Sequence, residues 1–442
     1  MSFPAYPEYK NSGVEWLGEL PANWDLGPIR RGIEETAERN WDDQSSDYLS
    51  LVVGRGVIPY AEKGDVGNKK PEDLSKCKIV AEGDFVLNSM NFGIGAFGRS
   101  SYDGVCSPVY VVMRAKPDEL LPEIFAYLMQ IPALQRHAQS FGNGILAHRS
   151  AIGWDELKGL RIAYPPIPHQ RAIAAFLDRE TAKIDAAVAA QERLIALLAE
   201  KRAATISHAV TKGLDPDAPM KDSGIEWLGQ IPAHWSTPAI SHVCDEIGSG
   251  TTPSTNDEQA YGGEVCWVTT GELRETGIYS TRKRLTEAAL ADYSALRKFP
   301  PGTLLIAMYG ATIGRLGWLE CEAATNQACC AMQMSEPYLS RFLFYVLQGG
   351  KSALILLGSG GGQPNISQEK VRQFRFALPP HEEQESILNH LDSACSQIDA
   401  LNAKALSSIR LLKERRAALI SAAVTGKIDV RGEVNAREQE AA

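Results

Sequence analysis

The chain has 442 residues, of which 44% are hydrophobic and 22% charged. This is the balance of a globular protein, with length for roughly three domains. A formal net charge of −9 excludes a protein that grips nucleic acid over its whole surface and leaves room only for local basic grooves. No apolar run reaches membrane-spanning length, and Met1-Ser2-Phe3-Pro4 opens no basic-then-apolar leader, so a cytoplasmic chain without a membrane partner is expected. None of the 8 cysteines forms a Cys-x-x-Cys pair, and Cys329 and Cys330 are adjacent. That spacing suits neither zinc nor a disulfide and reads as reduced, buried thiols.

The first landmark is Ser12-Gly13-Val14-Glu15-Trp16-Leu17-Gly18-Glu19-Leu20-Pro21-Ala22-Asn23-Trp24. It recurs as Ser223-Gly224-Ile225-Glu226-Trp227-Leu228-Gly229-Gln230-Ile231-Pro232-Ala233-His234-Trp235, with 9 of 13 positions identical. An internal repeat governs every later assignment. Next comes an insert of mixed α/β character, residues 25–160. Leu49-Val53, Asp84-Asn88 and Val109-Arg114 read as strands in it, and Pro122-Gln139 as helix. It ends in a short glycine-rich stretch, Gly142-Asn143-Gly144.

Past Pro165-Pro166 and Pro168 there is neither proline nor glycine to about Thr211, which predicts a helix of roughly 40 residues, about 60 Å long. Leu177, Thr181, Ile184, Val188, Gln191, Ile195, Leu198, Arg202, Thr205 and Ala209 step by fours and threes, the seam of a coiled coil. Gly213 stops it. The second half repeats the order: the duplicated motif, an insert over 236–374, and a second long helix. Strands are expected at Val265-Thr269, Thr303-Met308 and Ala328-Met334, a helix at Leu339-Leu356, and a glycine-rich loop at Gly358-Asn365. The seam returns 214 residues on as Leu391, Cys395, Ile398, Asn402, Ala405, Ile409, Leu412, Arg416, Leu419 and Ala423. Two such helices in one chain pair most simply with each other, antiparallel, with Gln191, Asn402, Arg202 and Arg416 fixing register at some cost in stability. The frames are alike and the inserts are not, as expected if scaffold is duplicated and specificity is free to diverge.

Several catalytic look-alikes fail on context. Gly93-Ile94-Gly95-Ala96-Phe97-Gly98 fits a dinucleotide fingerprint, but the residues after it read as a turn rather than a phosphate-binding helix. Its counterpart Thr312-Gly317 likewise lacks a helix. Gly350-Lys351-Ser352 has Tyr345 where a phosphate loop needs glycine. Tyr164-Pro165-Pro166 lacks the leading Asn or Asp of an amino-methyltransferase motif. No nucleophile, metal cluster or acid/base pair recurs in both halves.

The duplicated frame resembles the specificity subunits of type I restriction-modification systems. The residues that carry the resemblance are the two Ser-Gly-x-Glu-Trp-Leu-Gly motifs and Gly248-Ser249-Gly250-Thr251-Thr252-Pro253. They continue with Val265 to Leu273, Met308 to Gly314, Ala324 to Ala328, and Leu378 to Ile387. In the first half, Gly83 to Asn88 and Tyr102 to Pro108 match a variant of the same pattern. The first half departs in carrying His169-Gln170 where Glu383-Gln384 stands later, and in lacking the Gly-Ser-Gly-Thr-Thr-Pro run.

The resemblance implies a mixed α/β (α+β) chain with two globular target-recognition domains separated by two long helices that form an antiparallel coiled coil. The expected division is 1–164 (first domain with its repeat segment), 165–213 (helix), 214–378 (second domain), 379–427 (helix) and 428–442 (disordered tail). It also implies a non-catalytic subunit. Each domain would read one half of a bipartite, asymmetric site in double-stranded DNA. The helices would space the domains and bind two methyltransferase (modification) subunits, and restriction/translocase subunits would join them. No cofactor is expected in this chain; S-adenosylmethionine, ATP and Mg2+ would belong to the partners. A self-contained DNA methyltransferase or nuclease, and a tandem scaffold that binds only protein, remain the alternatives at this point.

Base edges are read by polar and basic side chains on loops and element ends, and phosphates by Lys, Arg and backbone N–H groups. That rule selects Arg55, Lys69, Lys70, Asn88, Asn91, Arg99 and Arg149 in the first insert. In the second it selects Thr251, Thr252, Thr269, Thr270, Arg315, Asn326, Gln327, Gln363 and Asn365.

Overall fold

The computed structural model describes residues 3–65, 69–141, 152–358 and 365–433. The chain forms two compact units. One combines residues 1–191 with 407–442; the other is the continuous stretch 192–406. Each long helix therefore contributes one part to each unit.

In the first unit, four antiparallel strands lie in the order Ile33–Glu35, Tyr110–Ala115, Phe85–Asn88, Phe97–Arg99. Successive strand residues point to opposite faces, and here both faces are covered. Phe85, Leu87, Val111 and Met113 enter one core with Phe125, Leu177 and Ile420. Val86, Tyr110 and Val112 enter another with Leu49, Val57 and Cys106. The second unit repeats this split. Leu304, Ile306, Cys330 and Met332 share a core with Phe342 and Leu391, whereas Leu305, Ala307, Cys329 and Ala331 join Phe299 and Leu319. Adjacent Cys329 and Cys330 therefore sit in different cores. All eight cysteines are free, and burial pushes the Cys330 thiol up to about 12.

The expected strands are present with shifted ends: Leu49–Val52, Phe85–Asn88 and Tyr110–Ala115 in the first insert, Tyr261–Val268, Leu304–Ala307 and Cys329–Gln333 in the second. Both expected insert helices are broken in two. The first divides into Pro122–Leu128 and Pro132–Gln139, because Pro132 has no N–H to continue the ladder. The second divides into Pro337–Gly349 and Lys351–Leu356. At Gly350 a Cβ would stand 2.9 Å from Phe374 and 3.1 Å from Trp227, so the break brings backbone close to two rings.

The long helices run Ile167–Lys212 and His381–Val424. Every seam residue named above is buried or half-buried. In the first unit, Arg416 Nε donates to Asp185 Oδ1 at 2.9 Å, while Phe176 and Leu177 share a core with Ile420 and Val424. As one helix advances its partner recedes, so the pairing is antiparallel. In the second unit, Arg202 Nη1 donates to Asp399 Oδ1 at 2.5 Å, and Ile206 and Val210 share a core with Leu391 and Cys395. The ion pair, and the packing of Leu177 with Ile420 and Val424, recur 214 residues away, the packing as that of Leu391 with Ile206 and Val210. Such half-exposed ion pairs contribute only tenths of a kcal/mol each; their value is in register. Each insert is pinned to its helix by a repeated hydrogen bond as well. Tyr127 donates to Asp178 at 2.6 Å and Tyr345 to Asp392 at 2.8 Å. Burial, with Asp178 adding to it, pushes the Tyr127 phenol up to about 12.

The duplicated motif forms a collar at the helix ends. Its tight loop closes from Ser12 N to Gly18 O and from Ser223 N to Gly229 O, both at 3.0 Å. Gly18 and Gly229 have φ of 72° and 56°, which explains their recurrence. Trp24 and Trp235 are buried against the glycines that end the helices. A Cβ on Gly426 would stand 2.3 Å from Pro21 and 3.1 Å from Trp24, and one on Gly213 3.1 Å from Trp235. Gly426→Ala, at φ 75°, is expected to cost about 1–3 kcal/mol by strain and overpacking. Gly159→Ala, with open space at its Cβ, should be near neutral; urea denaturation of the two variants checks this.

The expected tail from residue 428 is not free over its first residues. Asp429 N donates to Pro4 O at 2.7 Å, Val430 is buried, and the Arg431 guanidinium lies 5.0 Å from the Tyr6 ring centre. Ile428 and Val430 both pack on the first unit's core. Residues 434–442 lie outside the described part.

Candidate nucleic-acid interface

In the second unit, strand Tyr261–Val268 pairs in parallel with Ala323–Thr325, Val268 opposite Thr325. Parallel pairing delivers both carboxyl ends to one edge, the place where open sheets present ligand-binding residues. Thr269 and Thr270 leave one strand there, and Asn326 and Gln327 leave the other. The edge is tied together by hydrogen bonds. Asn326 N donates to Val268 O at 3.0 Å and Met308 N to Ala328 O at 2.8 Å. The loop of Thr251 and Thr252 docks on it: Gly250 N donates to Thr325 Oγ1 at 2.9 Å, Thr252 Oγ1 to Gln327 Oε1 at 2.6 Å, and Trp267 Nε1 to Thr251 O at 3.2 Å. Asn365 bridges Tyr309 at the same edge.

Some of these side chains already have structural roles. Thr269 caps a short 3-10 turn, in which its N–H donates to Glu272 Oε2 at 2.8 Å. Asn326 Oδ1 accepts from Ala328 N at 3.2 Å, which leaves its NH₂ group as donor. Gln327, Thr252 and Asn365 are exposed. Arg315 is exposed on the neighbouring hairpin. Gln363 lies outside the described residues.

The first-unit candidates are brought together less well. Asn88 caps the segment after its strand by accepting from Met90 N at 3.1 Å, and Asn91 is exposed beside it. Arg99 is at the other end of that hairpin, opposite Phe85, and donates to Glu123 at 2.8 Å. It lines a groove of about 730 Å³ with Gln130, Asp185 and Arg416. Arg55 sits in a hairpin turn and donates to Glu62 O at 3.0 Å; Lys70 donates to Ser46 O at 3.2 Å, next to exposed Lys69. Arg149 lies outside the described residues. The polar-residue rule passed over the exposed apolar neighbours of Asn88. Met90 is 66% and Val109 62% exposed, and Val109 precedes Tyr110, the strand partner of Asn88. It also passed over Arg274, Arg282 and Lys283 in the second unit, although three successive cations at 282–284 were a legible signal.

The look-alike motifs keep their structural explanations. Gly95, with φ 84°, turns the chain directly into strand Phe97–Arg99, and Gly310–Thr312 leads into strand Leu316–Leu319. Among the described residues no three His, Cys, Asp or Glu side chains converge as a metal site, and no helix is long and apolar enough to cross a membrane.

Three comparisons bear on this geometry. A family model described as the type I restriction modification DNA specificity domain matches residues 45–193 and 232–410. The chain is similar to the MjaX type I restriction enzyme specificity subunit of Methanocaldococcus jannaschii, with 22% identity over 94% of this chain and 96% of that one. Among solved structures it is similar to a chain from a study of complex assembly and conformational transition in the type I R-M system. The TM-score is 0.70, with 18% identity over 92% of this chain and 98% of that one. The HsdS subunit of Thermoanaerobacter tengcongensis follows at TM-score 0.51 and 17% identity, covering 92% and 98%. At these identities the structural likeness speaks for the fold.

Proposed function

Because the chain belongs to the type I restriction-modification DNA specificity family, and is a non-catalytic specificity subunit with two target-recognition domains, we propose that each unit reads one half of a bipartite site in double-stranded DNA. The observation that carries this is the polar edge of the second unit. There Thr252, Thr269, Thr270, Asn326 and Gln327 are gathered by parallel strand ends and braced from behind. Amide and hydroxyl side chains on a rigid edge are what base-edge recognition requires. The first unit offers a different surface, Asn88 and Asn91 beside exposed Met90 and Val109. An apolar contact of that kind suits a thymine methyl. Two unlike reading surfaces make an asymmetric site.

The helices carry the partners in this reading. Leu197 is 60% and Leu411 55% exposed, and the two occupy equivalent positions 214 residues apart. An apolar spot repeated once in the chain suits two copies of the same modification subunit, with restriction/translocase subunits added to that assembly. S-adenosylmethionine, ATP and Mg2+ act in those partners.

The test is to map methylated bases in cells that express this chain with its modification partner, in the wild type and in Asn326→Ala/Gln327→Ala. Each lost base contact is worth about 1–3 kcal/mol of discrimination. The expected outcome is relaxed sequence in one half-site with the other half unchanged. Relaxation of both halves, or of neither, refutes the assignment of that edge.

A further inference from the structure

We propose that the segment from Arg274 to Lys283 in the second unit, with Arg315, is a preformed grip for the phosphate backbone of duplex DNA, placed next to the base-reading edge. This rests on the DNA-reading role proposed above.

The segment protrudes but is held firmly. Glu275 adopts a left-handed conformation, φ 59°, an uncommon one for a residue with a side chain and one kept only where surrounding contacts enforce it. Here Glu275 N donates to Leu316 O at 2.9 Å, and its carboxylate accepts from Leu316 N at 3.3 Å. That pairing sets Arg274 and Arg315, the residues just before each partner, on adjacent chains. At the far end, Thr281 Oγ1 accepts from Trp267 N at 3.0 Å and donates to Lys283 O at 2.6 Å. Glu272 joins the segment to the reading edge: one carboxylate oxygen accepts from Arg282 N, the other from Thr269 N, both at 2.8 Å.

The charge pattern points outward. The nearby carboxylates Glu272 and Glu275 are engaged by backbone N–H groups, and Glu320, which lies against Gly277, accepts from the Trp318 indole N–H at 2.8 Å. Arg284 is paired with Glu264 at 3.1 Å. Arg274, Arg282, Lys283 and Arg315 are exposed and, among the described residues, form no ion pair. Tyr279, 74% exposed, stands between them, with a ring that can pack on sugar and a hydroxyl that can donate to phosphate. A chain of net charge −9 that leaves three cations uncompensated on one braced segment, and Arg315 on the chain segment hydrogen-bonded to it, presents a site for a polyanion. Phosphate contacts fix the register of a protein on duplex DNA and carry no sequence information, so a grip tied through Glu272 to Thr269 would set where the reading edge lies along the groove.

The experiment uses the assembled complex of this chain with its modification partner. Binding to a duplex that carries the mapped target and to a scrambled duplex is measured over a salt series. Arg274→Ala, Arg282→Ala and Lys283→Ala are compared singly and together with Arg282→Lys. Each alanine is expected to reduce the steepness of the fall of log affinity with log salt by about 0.9 for both duplexes, with the methylated sequence unchanged; Arg282→Lys should keep the wild-type slope. A triple variant with the wild-type slope overturns the grip. So does one that loses the modification partner on gel filtration, because the segment would then be a protein contact. If the wild-type complex itself prefers no duplex, the DNA-reading role of the preceding section fails, an outcome distinct from the other two.

Discussion

Trp235→Ala is expected to lower the free energy of unfolding by about 3–5 kcal/mol, the range for deleting a fully buried large aromatic side chain. Trp235 is 1% exposed, shares a core with Val210, Phe376 and Leu388, and donates its indole N–H to Glu383 Oε2 at 2.9 Å. The repeat supplies an internal comparison. Trp24 occupies the equivalent place, but His169 stands where Glu383 would be, and among the described residues the Trp24 indole nitrogen has no partner. Trp235→Phe should therefore break a hydrogen bond to a charged group, worth about 1.5–3 kcal/mol, whereas Trp24→Phe loses no such bond. Urea denaturation of the two phenylalanine variants reads the difference. Equal losses would mean that the Trp24 indole is satisfied by something else.

Leu197→Arg combined with Leu411→Arg is expected to prevent assembly with the modification partner. A buried apolar anchor at an interface is commonly worth about 2 kcal/mol or more, and a charge in its place adds a desolvation penalty. Each loss amounts to about thirtyfold in affinity for the copy bound at that spot, before the added charge penalty, so both copies are weakened together. The fold should survive, because both leucines are exposed and neither belongs to the seam. Gel filtration with the partner and the melting temperature of the chain alone separate the two effects. Retained assembly at full strength would remove these positions from the partner interface.

The frame was legible because its signals are local or periodic. A seam repeated 214 residues on needs only counting, and every member of it is buried or half-buried. The strands were legible as short apolar runs, since two cores take alternate residues of the same strand. The helix breaks were also written locally, in Pro132 and Gly350, but the periodic pattern on either side outweighed them. The polar edge of the second unit was visible as residue types and invisible as a cluster. Thr269 and Asn326 become neighbours only through the parallel pairing of Val268 with Thr325, and nothing near either residue encodes that register. In the first unit the same rule chose Arg99 and Arg55, which structural partners already hold. Ile428 and Val430 were missed because two apolar residues in a polar tail are too few to carry a period.

The division of the chain into units also has a consequence for synthesis on the ribosome. The second unit is continuous, 192–406, whereas the first needs its early residues together with Ile420, Val424 and Val430. Domains ordinarily fold in the order in which they emerge. Here the amino-terminal unit must wait for the carboxyl end, an interval of roughly 10–50 s at about 5–20 residues per second. During that time the strands of the first insert are without the helix that completes their core. The nascent first unit is then the part most exposed to chaperones and proteases, and a chain cut short after residue 406 but before Ile420 would have its second unit complete and its first unit open.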